Sequence, residues 1–493
     1  MYIPNPLLQS VLIPMVASIV LAILGRKNEK IAGWIAALAL TYSSILLLLV
    51  GEQIWVSAKP IYEEYAWSSV VGLKFGLLAD GLSLPTALIM NLIVTASSFY
   101  SIPYIKHRIE LLYGEDHGGM YSLYFVIYLL FAVGLTGVAL STNLIEMYLF
   151  VELALIPSYF MIDLYGYRDR HRIAMMYFIW NHLGACLFLV GIVLAYVGSG
   201  SFEISKLSSL TGYSAFLVSF FVLIGWLVKM AVFGLHVWLP YAHGEHPTSI
   251  ASIIATIVGL GNYVIVRLLV EHLFEAFQAF GIPLMIWALI TMIYGAFLTI
   301  AQDDVKRLYA CSTISQTAYS LLGIGSLTAL GIAGGVFYFL SHIIGKCILF
   351  SIAGIIVYQT GIRDMRKLGG LAKSMPLTAV AAIIGSMILS AIPPLSGFQA
   401  EWIMFAGIFQ QGFHGSAMGL LIALIGIFAT FLTAVYTFWP IKRMFFGPAP
   451  ENLNNIKRAP LLMTIPLLVL GIISVIMGVY PDVVMRFLNS VIH

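Results

Sequence analysis

Five ionisable residues sit where ionisable residues are costly. Glu152, Lys229, His342, Lys346 and Glu401 each lie inside a long apolar run of a 493-residue chain that is 60% hydrophobic and 10% charged. One ionised group at the centre of a bilayer costs roughly 2.5–3.5 kcal/mol on insertion scales. Five are sustainable only if they face one another, face water or change protonation state. Acids and bases of opposite sign at a common depth are what a relay for protons or other cations requires. His236, in the same apolar stretch as Lys229, belongs with them. An ammonium buried with a carboxylate partner and one buried without it differ by roughly 3–5 kcal/mol. Movement of Glu152 relative to Lys229 is therefore a means of loading and unloading a cation.

The elements that position these groups are membrane helices. The mean hydropathy of +0.97 excludes an ordinary soluble protein. Apolar runs long enough to cross ~30 Å of hydrocarbon recur from end to end. We read about fourteen, near 6–24, 31–51, 76–100, 119–140, 143–165, 173–197, 215–235, 248–270, 282–301, 306–328, 331–358, 376–410, 417–441 and 460–480. The first lacks the basic flank and the cleavage site of a signal peptide, so it is expected to span. Of the 25 Lys and Arg residues, eighteen fall in alternate loops, from Arg26 to Arg458. Lys59, Lys74, Lys206 and Arg486 fall on the opposite side, and Lys229, Arg267 and Lys346 lie within spans. The positive-inside rule makes the first set cytoplasmic and puts both termini outside. Arg267 is near the outer end of its span, where it is expected to snorkel. Glu146 is expected at a water-accessible outer mouth.

Two spans carry helix breakers beside a charge. The run 376–410 contains Pro393, Pro394 and Gly397 just before Glu401, and the run 215–240 carries Lys229, then Gly234, His236 and Pro240. Proline removes a backbone donor, and inside a membrane the freed groups must be met by protein or water. In transporters such interruptions gather at ion sites.

Several segments carry a resemblance. Phe150-Val-Glu-Leu-Ala-Leu-Ile-Pro157, the stretch Leu227 to Thr248, Gln302-Asp-Asp-Val-Lys-Arg-Leu-Tyr-Ala-Cys-Ser-Thr-Ile-Ser315, Ser341 to Phe350, Arg363 to Gly370, Pro393 to Glu401, and Asp80-Gly-Leu-Ser83 fall within roughly residues 75–445. This set resembles the antiporter-like subunits of respiratory complex I. It is equally similar to the large subunits of multi-subunit sodium/proton antiporters and of membrane-bound hydrogenase-type complexes. The resemblance implies an all-α polytopic membrane protein, a single membrane domain of about fourteen helices over 1–493. Helices 1–3 would occupy 1–118, a first repeat of helices 4–8 residues 119–272, an inverted second repeat of helices 9–13 residues 282–445, and the last helix 460–493. It also implies a midplane chain in which Glu152 and Lys229 form the first-repeat pair, His342 and Lys346 the connecting path, and Glu401 the far end. The implied partners are further membrane subunits of the same family and a peripheral redox arm with iron–sulfur clusters.

The chain departs from that pattern in the eighth span, where Gly259 stands at the usual lysine position, and at Gln316, where a histidine is common. Either water held by Thr256, Asn262 and Tyr263 fills the gap between Lys229 and His342, or the path is altered, carries sodium at some point, or conducts poorly.

Other chemistry is thinly supported. Cys186, Cys311 and Cys347 each stand alone in an apolar run, so thiolates build neither an iron–sulfur cluster nor a zinc site, and no cofactor is expected. His243 and His246 have a spacing that suits zinc but fit the family signature. His182 and His342 are deep enough to be haem ligands, although His182 reads more simply as a packed, hydrogen-bonded side chain. The net charge of +3 is scattered through short loops, which argues against nucleic acid. The expected function is an ion-translocating subunit, for protons or sodium, of a redox-driven complex, with no catalytic chemistry of its own. The alternatives are a sodium/proton antiporter subunit without a redox partner, a non-conducting scaffold, or a haem carrier.

Overall fold

The structure is a computed structural model that describes residues 3–25, 29–68, 73–114, 119–415, 417–453 and 456–492. In chain order the helices are α1 Pro6–Leu24, α2 Glu29–Ser57, α3 Ser83–Tyr113, α4 Met120–Leu140, α5 Leu144–Tyr165, α6 Arg170–Ser199, α7 Gly212–Lys229, α8 Leu239–Glu245, α9 Thr248–Val264, α10 Phe274–Phe277, α11 Gly281–Ile300, α12 Val305–Gly325, α13 Ala329–Thr360, α14 Leu371–Ser374, α15 Pro376–Leu389, α16 Ser396–His414, α17 Ala417–Phe446, α18 Leu461–Val479 and α19 Asp482–Leu488. Hydrocarbon offers the backbone no hydrogen-bond partners, so these apolar runs satisfy their own N–H and C=O groups as helices. Polar residues mark where helices begin. Asn143 caps α5, Asp304 caps α12 and Thr328 caps α13, each accepting from N–H groups of the first turn.

Among the described residues, twelve helices are long and apolar enough to cross a membrane. The other two expected spans are α12, which carries Lys306, Arg307 and a row of Ser, Thr and Gln, and the pair α15/α16, which is interrupted. The α9 segment and α13 form the centre, with 94% of their most apolar stretch buried. Hydropathy alone therefore does not separate lipid-facing helices from central ones here.

The fold is not purely helical. The expected third span begins at Ser83, and residues 73–79 instead form a strand, β2 Leu73–Ala79, antiparallel to β1 Ile61–Ser68 with Ile61 opposite Ala79. Asp80 ends the strand and starts the helix, because its Oδ1 accepts from Leu82 N and Ser83 N. Leu77 also bridges Ser141, which lays the hairpin over the C-terminal end of α4 and the N-terminal end of α5.

Both helix interruptions are present and share one turn. After Lys229, Ala231 adopts φ 55°, Ala231 N donates to Val228 O and Val232 N donates to Leu227 O. After Leu389, Ala391 adopts φ 52°, Ala391 N donates to Ile388 O and Ile392 N donates to Met387 O. This is the Schellman end of a helix, with alanine in the left-handed position that glycine usually fills. The residues that reverse the chain are thus Ala231 and Ala391. Gly234 follows in the first loop with φ 88°, and Pro393 and Pro394 lie in the second. Pro240 and Gly397 sit in the first turns of α8 and α16, where they begin helices. A side chain on Gly397 would strike the carbonyl of Ile388, so glycine is needed there for the close approach of α16 to α15.

Each break is braced by a helix from outside its own hairpin. Thr291 Oγ1 accepts from Phe233 N at 3.0 Å, Trp287 Nε1 donates to Phe233 O at 2.9 Å, and Tyr294 OH meets His236 Nε2 at 3.2 Å, all three from one face of α11. At the second break Ser474 Oγ of α18 accepts from Ser396 N at 3.2 Å, and Gln399 Nε2 donates to Gly478 O at 2.9 Å. The Ser396 hydroxyl lies 2.7 Å from both the Ser474 and the Ser341 hydroxyls.

Candidate functional site

The first cluster is built by α5, α6 and α7. Gly184 and Gly225 let the backbones of α6 and α7 approach so closely that a Cβ on either would lie 2.7 Å from the carbonyl of the other. The stem of Lys229 lies against Gly184. Its ammonium is buried and has no hydrogen-bond partner. Glu152 is not in ion-pair contact with it among the described residues. Oε2 of Glu152 instead lies 3.5 Å from Nδ1 of His182 on α6, and its Oε1 is buried without a partner. His182 stacks on Phe178 with ring centroids 5.3 Å apart and is partly exposed. Its sequence context favours simple packing; its place one helix across from Glu152 shows only in three dimensions.

The second cluster is on α12 and α13. Lys346 Nζ donates to Tyr309 O at 2.9 Å and to the Ser312 hydroxyl. His342 lies one turn away on α13, buried, with Nε2 unpartnered.

Between the clusters, the expected eighth-span path is occupied by protein. A Cβ on Gly259 would meet the Phe339 ring at 2.6 Å, so Phe339 fills the space that a longer side chain would need. The Thr256 hydroxyl bonds back to Ile253 O of its own helix. Tyr263 OH donates to Ala139 O at 2.6 Å and accepts from Arg267 Nε at 3.3 Å. Asn262 donates to Gly259 O, and its Oδ1 is the one polar atom of this trio left open.

Two other histidines stand in the interior nearby. His243 on α8 and His246 at its C-cap are completely buried. Both ring nitrogens of His243 are unpartnered, and its ring lies 5.9 Å from that of Phe350, which is itself 5.9 Å from the Lys346 ammonium. His246 reaches Ser158 on α5 at 3.4 Å, and its carbonyl accepts from Lys306 Nζ at 2.6 Å. The end of α8 is fastened to the second half of the chain by Arg363, which pairs with both Glu245 at 3.1 Å and Asp304 at 2.7 Å.

Around Glu401, half-buried on α16, stand Tyr319, Tyr338 and Tyr436. Gln316 organises them. Its Nε2 donates to Tyr436 OH at 2.7 Å, and its Oε1 accepts from Tyr338 OH at 2.8 Å. Tyr319 OH meets Thr433 Oγ1 at 2.8 Å, and the Tyr319 and Tyr338 rings stack at 5.0 Å. Nothing in the sequence singles these tyrosines out, because aromatic residues make up 13% of the chain.

Two charged residues near the ends of their spans correct expectations. Arg267 does not snorkel: it is buried and pairs with Asp80 at 2.6 and 2.8 Å and with Glu271 at 2.7 Å. The turn that carries it is a wide one, Ile265–Val270, closed by Glu271 N to Val266 O. Burial alone would push the Asp80 carboxyl up, but the Arg267 guanidinium and the Leu82 and Ser83 amides hold it below the ordinary carboxylate range. Glu146 is likewise buried rather than open to water; Oε2 accepts from Gly76 N at 3.2 Å and Oε1 has no partner.

The model of the family described as "NADH:quinone oxidoreductase/Mrp antiporter, TM" matches residues 141–433. The chain is 29% identical over 493 residues to NAD(P)H-quinone oxidoreductase chain 4 1 of Nostoc sp., covering 96% of this chain and 87% of that one. It is 30% identical over 497 residues to a protein called antiporter subunit mnhD2 in Staphylococcus aureus, covering 99% and 95%. In fold it matches a chain of the membrane-bound sulfane sulfur reductase, an archaeal respiratory membrane complex, with a TM-score of 0.85 and 25% identity over 99% of this chain and 78% of that one. The Mrp complex from Dietzia sp. gives a TM-score of 0.86 at 20% identity, covering 99% and 97%. Respiratory complex I from Thermus thermophilus gives 0.84 at 23% identity, covering 98% and 99%.

Proposed function

The chain belongs to the NADH:quinone oxidoreductase/Mrp antiporter membrane family, and from that premise we infer that it is an ion-translocating, antiporter-like subunit of a multi-subunit membrane complex driven by a redox arm. One observation carries the reading: the Lys229 ammonium is buried without a partner on the last turn before a helix break, with the Glu152 carboxylate on the neighbouring α5. A fixed structural role would leave such a charge paired, because an unpaired buried ion costs several kcal/mol. A group that gains and loses a cation must at some stage stand alone.

The assigned path runs from Glu152 and Lys229 through His342 and Lys346 to Glu401, with His236 on the flank of the first break. The packing of Phe339 against Gly259 favours a detour past His243 over a straight line along α9. The two matching Schellman turns support two repeats, helices 4–8 and 9–13 in the boundaries given above. The distribution of Lys and Arg supports an orientation with both termini outside, and the reading places the chain in the plasma membrane.

The extent of the match to mnhD2 keeps a second reading, a sodium/proton antiporter subunit without a redox arm. Purification from native membranes separates the two. Iron–sulfur subunits that stay bound through gel filtration support the first reading. A complex of membrane subunits alone that exchanges sodium for protons in vesicles supports the second. Full ion movement after Lys229→Ala, in either complex, overturns both.

A further inference from the structure

The basic, C-terminal end of α17 carries a feature that the ion path does not use. A cavity of about 700 Å3 opens there, lined by Arg366, Lys442 and Arg443, by Trp439 and Phe446, and by the turn Gly447–Pro450. On α17 the residues Trp439, Lys442, Arg443 and Phe446 fall at i, i+3, i+4 and i+7, so they share one face. The opposite wall holds its place because the turn packs directly on Gly369 and Gly370, where any side chain would collide with Pro448 and Ala449.

Charge and depth together name the occupant. Asp303 and Asp364 partly offset Arg366 and Arg443, at 3.4, 2.9 and 3.8 Å, whereas Lys442 is exposed and enters none of the ion pairs found among the described residues. Lys367 and Lys373 add two exposed positive charges on the loop opposite. Above the cavity, toward the bilayer centre, the same face of α17 presents Trp439, Val435, Phe431 and Phe428, the last two 71% and 78% exposed. This is an apolar lane about three turns long that ends in a basic pocket at the level of the lipid headgroups. The Arg443 guanidinium lies 5.1 Å over the Trp439 ring and is thereby held at the junction of lane and pocket. A soluble anion would need the pocket but not the lane, and an apolar protein segment would need the lane but not the cations. We propose that this face of α17 binds one anionic phospholipid, its phosphate among Lys442, Arg443 and Arg366 and an acyl chain along Phe431 and Phe428.

The site is independent of which ion the subunit moves. It is tested by native mass spectrometry of the full chain, released from mixed micelles of phosphatidylglycerol and phosphatidylcholine with identical acyl chains. Phosphatidylglycerol should be retained at least about fivefold over phosphatidylcholine. The double variant Lys442→Gln/Arg443→Gln should remove that preference, leaving the two lipids retained about equally. Lys457→Gln/Arg458→Gln, two exposed charges that do not line the cavity, should leave it unchanged, and millimolar inorganic phosphate should not displace the lipid. Equal retention of the two lipids overturns the proposal. So does a preference that survives Lys442→Gln/Arg443→Gln, or displacement by inorganic phosphate, which would mark a site for a free anion.

Discussion

Oε2 of Glu152 stands 3.5 Å from Nδ1 of His182, while the Lys229 ammonium has no hydrogen-bond partner. The acid of the first cluster thus has a polar neighbour other than the lysine, and that neighbour is partly exposed. Lys229→Ala should lower ion translocation by reconstituted complex at least about tenfold, below the usual cost of removing one proton-transfer group. His182→Gln keeps a hydrogen-bonding side chain beside Glu152 and should lower the rate less than Lys229→Ala does. A dye assay of vesicle acidification measures both.

Phe339 and Gly259 fit together as a pair. Gly259→Lys inserts a side chain where the Phe339 ring already lies, and should destabilise the chain by about 1–3 kcal/mol through overpacking. Adding Phe339→Ala should recover most of that loss. Adding Lys346→Ala instead should recover none of it, because the clash stays in place. Thermal unfolding in detergent distinguishes the three.

Arg267 joins two acids beneath the β1–β2 hairpin. Arg267→Ala leaves the half-buried Asp80 and the exposed Glu271 without their cation, at a cost of about 1–3 kcal/mol. The pH dependence has a definite sign. Asp80 is held below its ordinary range in the folded chain, so its contribution is present above about pH 4 and is lost as pH falls through the lower folded value. Asp80→Asn should therefore be less stable at neutral pH and lose less on acidification. Melting temperature against pH reads this directly.

Ser474 on α18 meets both the N–H and the hydroxyl of Ser396 at the start of α16. Ser474→Ala leaves that N–H without its acceptor and should cost about 1–3 kcal/mol. Hydrogen exchange at residues 396–400 should rise in the variant, while exchange at the first break, braced by α11, stays unchanged.

The parts legible in the sequence are those set by one-dimensional pattern. Long apolar runs mark the helices, and the prolines and glycines near Lys229 and before Glu401 locate both interruptions. The turn residues themselves are not legible, because Ala231 and Ala391 adopt a conformation of which alanine gives no sign. The hairpin is hidden by Phe75 to Ala79, an apolar stretch that reads as the start of the next span. Arg267 and Glu146 read as water-accessible because depth along a span says nothing about what covers it; Asp80, far away in sequence, and the Gly76 strand cover them. The same blindness to distant partners hides Phe339 behind Gly259 and the tyrosines around Gln316.

The brace that α18 supplies to the second interruption sets a rule for dissecting the molecule. A chain cut after residue 446 would retain every ionisable group of the proposed relay yet expose the amide of Ser396, so the smallest autonomous piece extends two helices past the one that bears Glu401. By the same logic the first interruption cannot be excised without α11, and the two halves overlap in what they need rather than meeting at a seam.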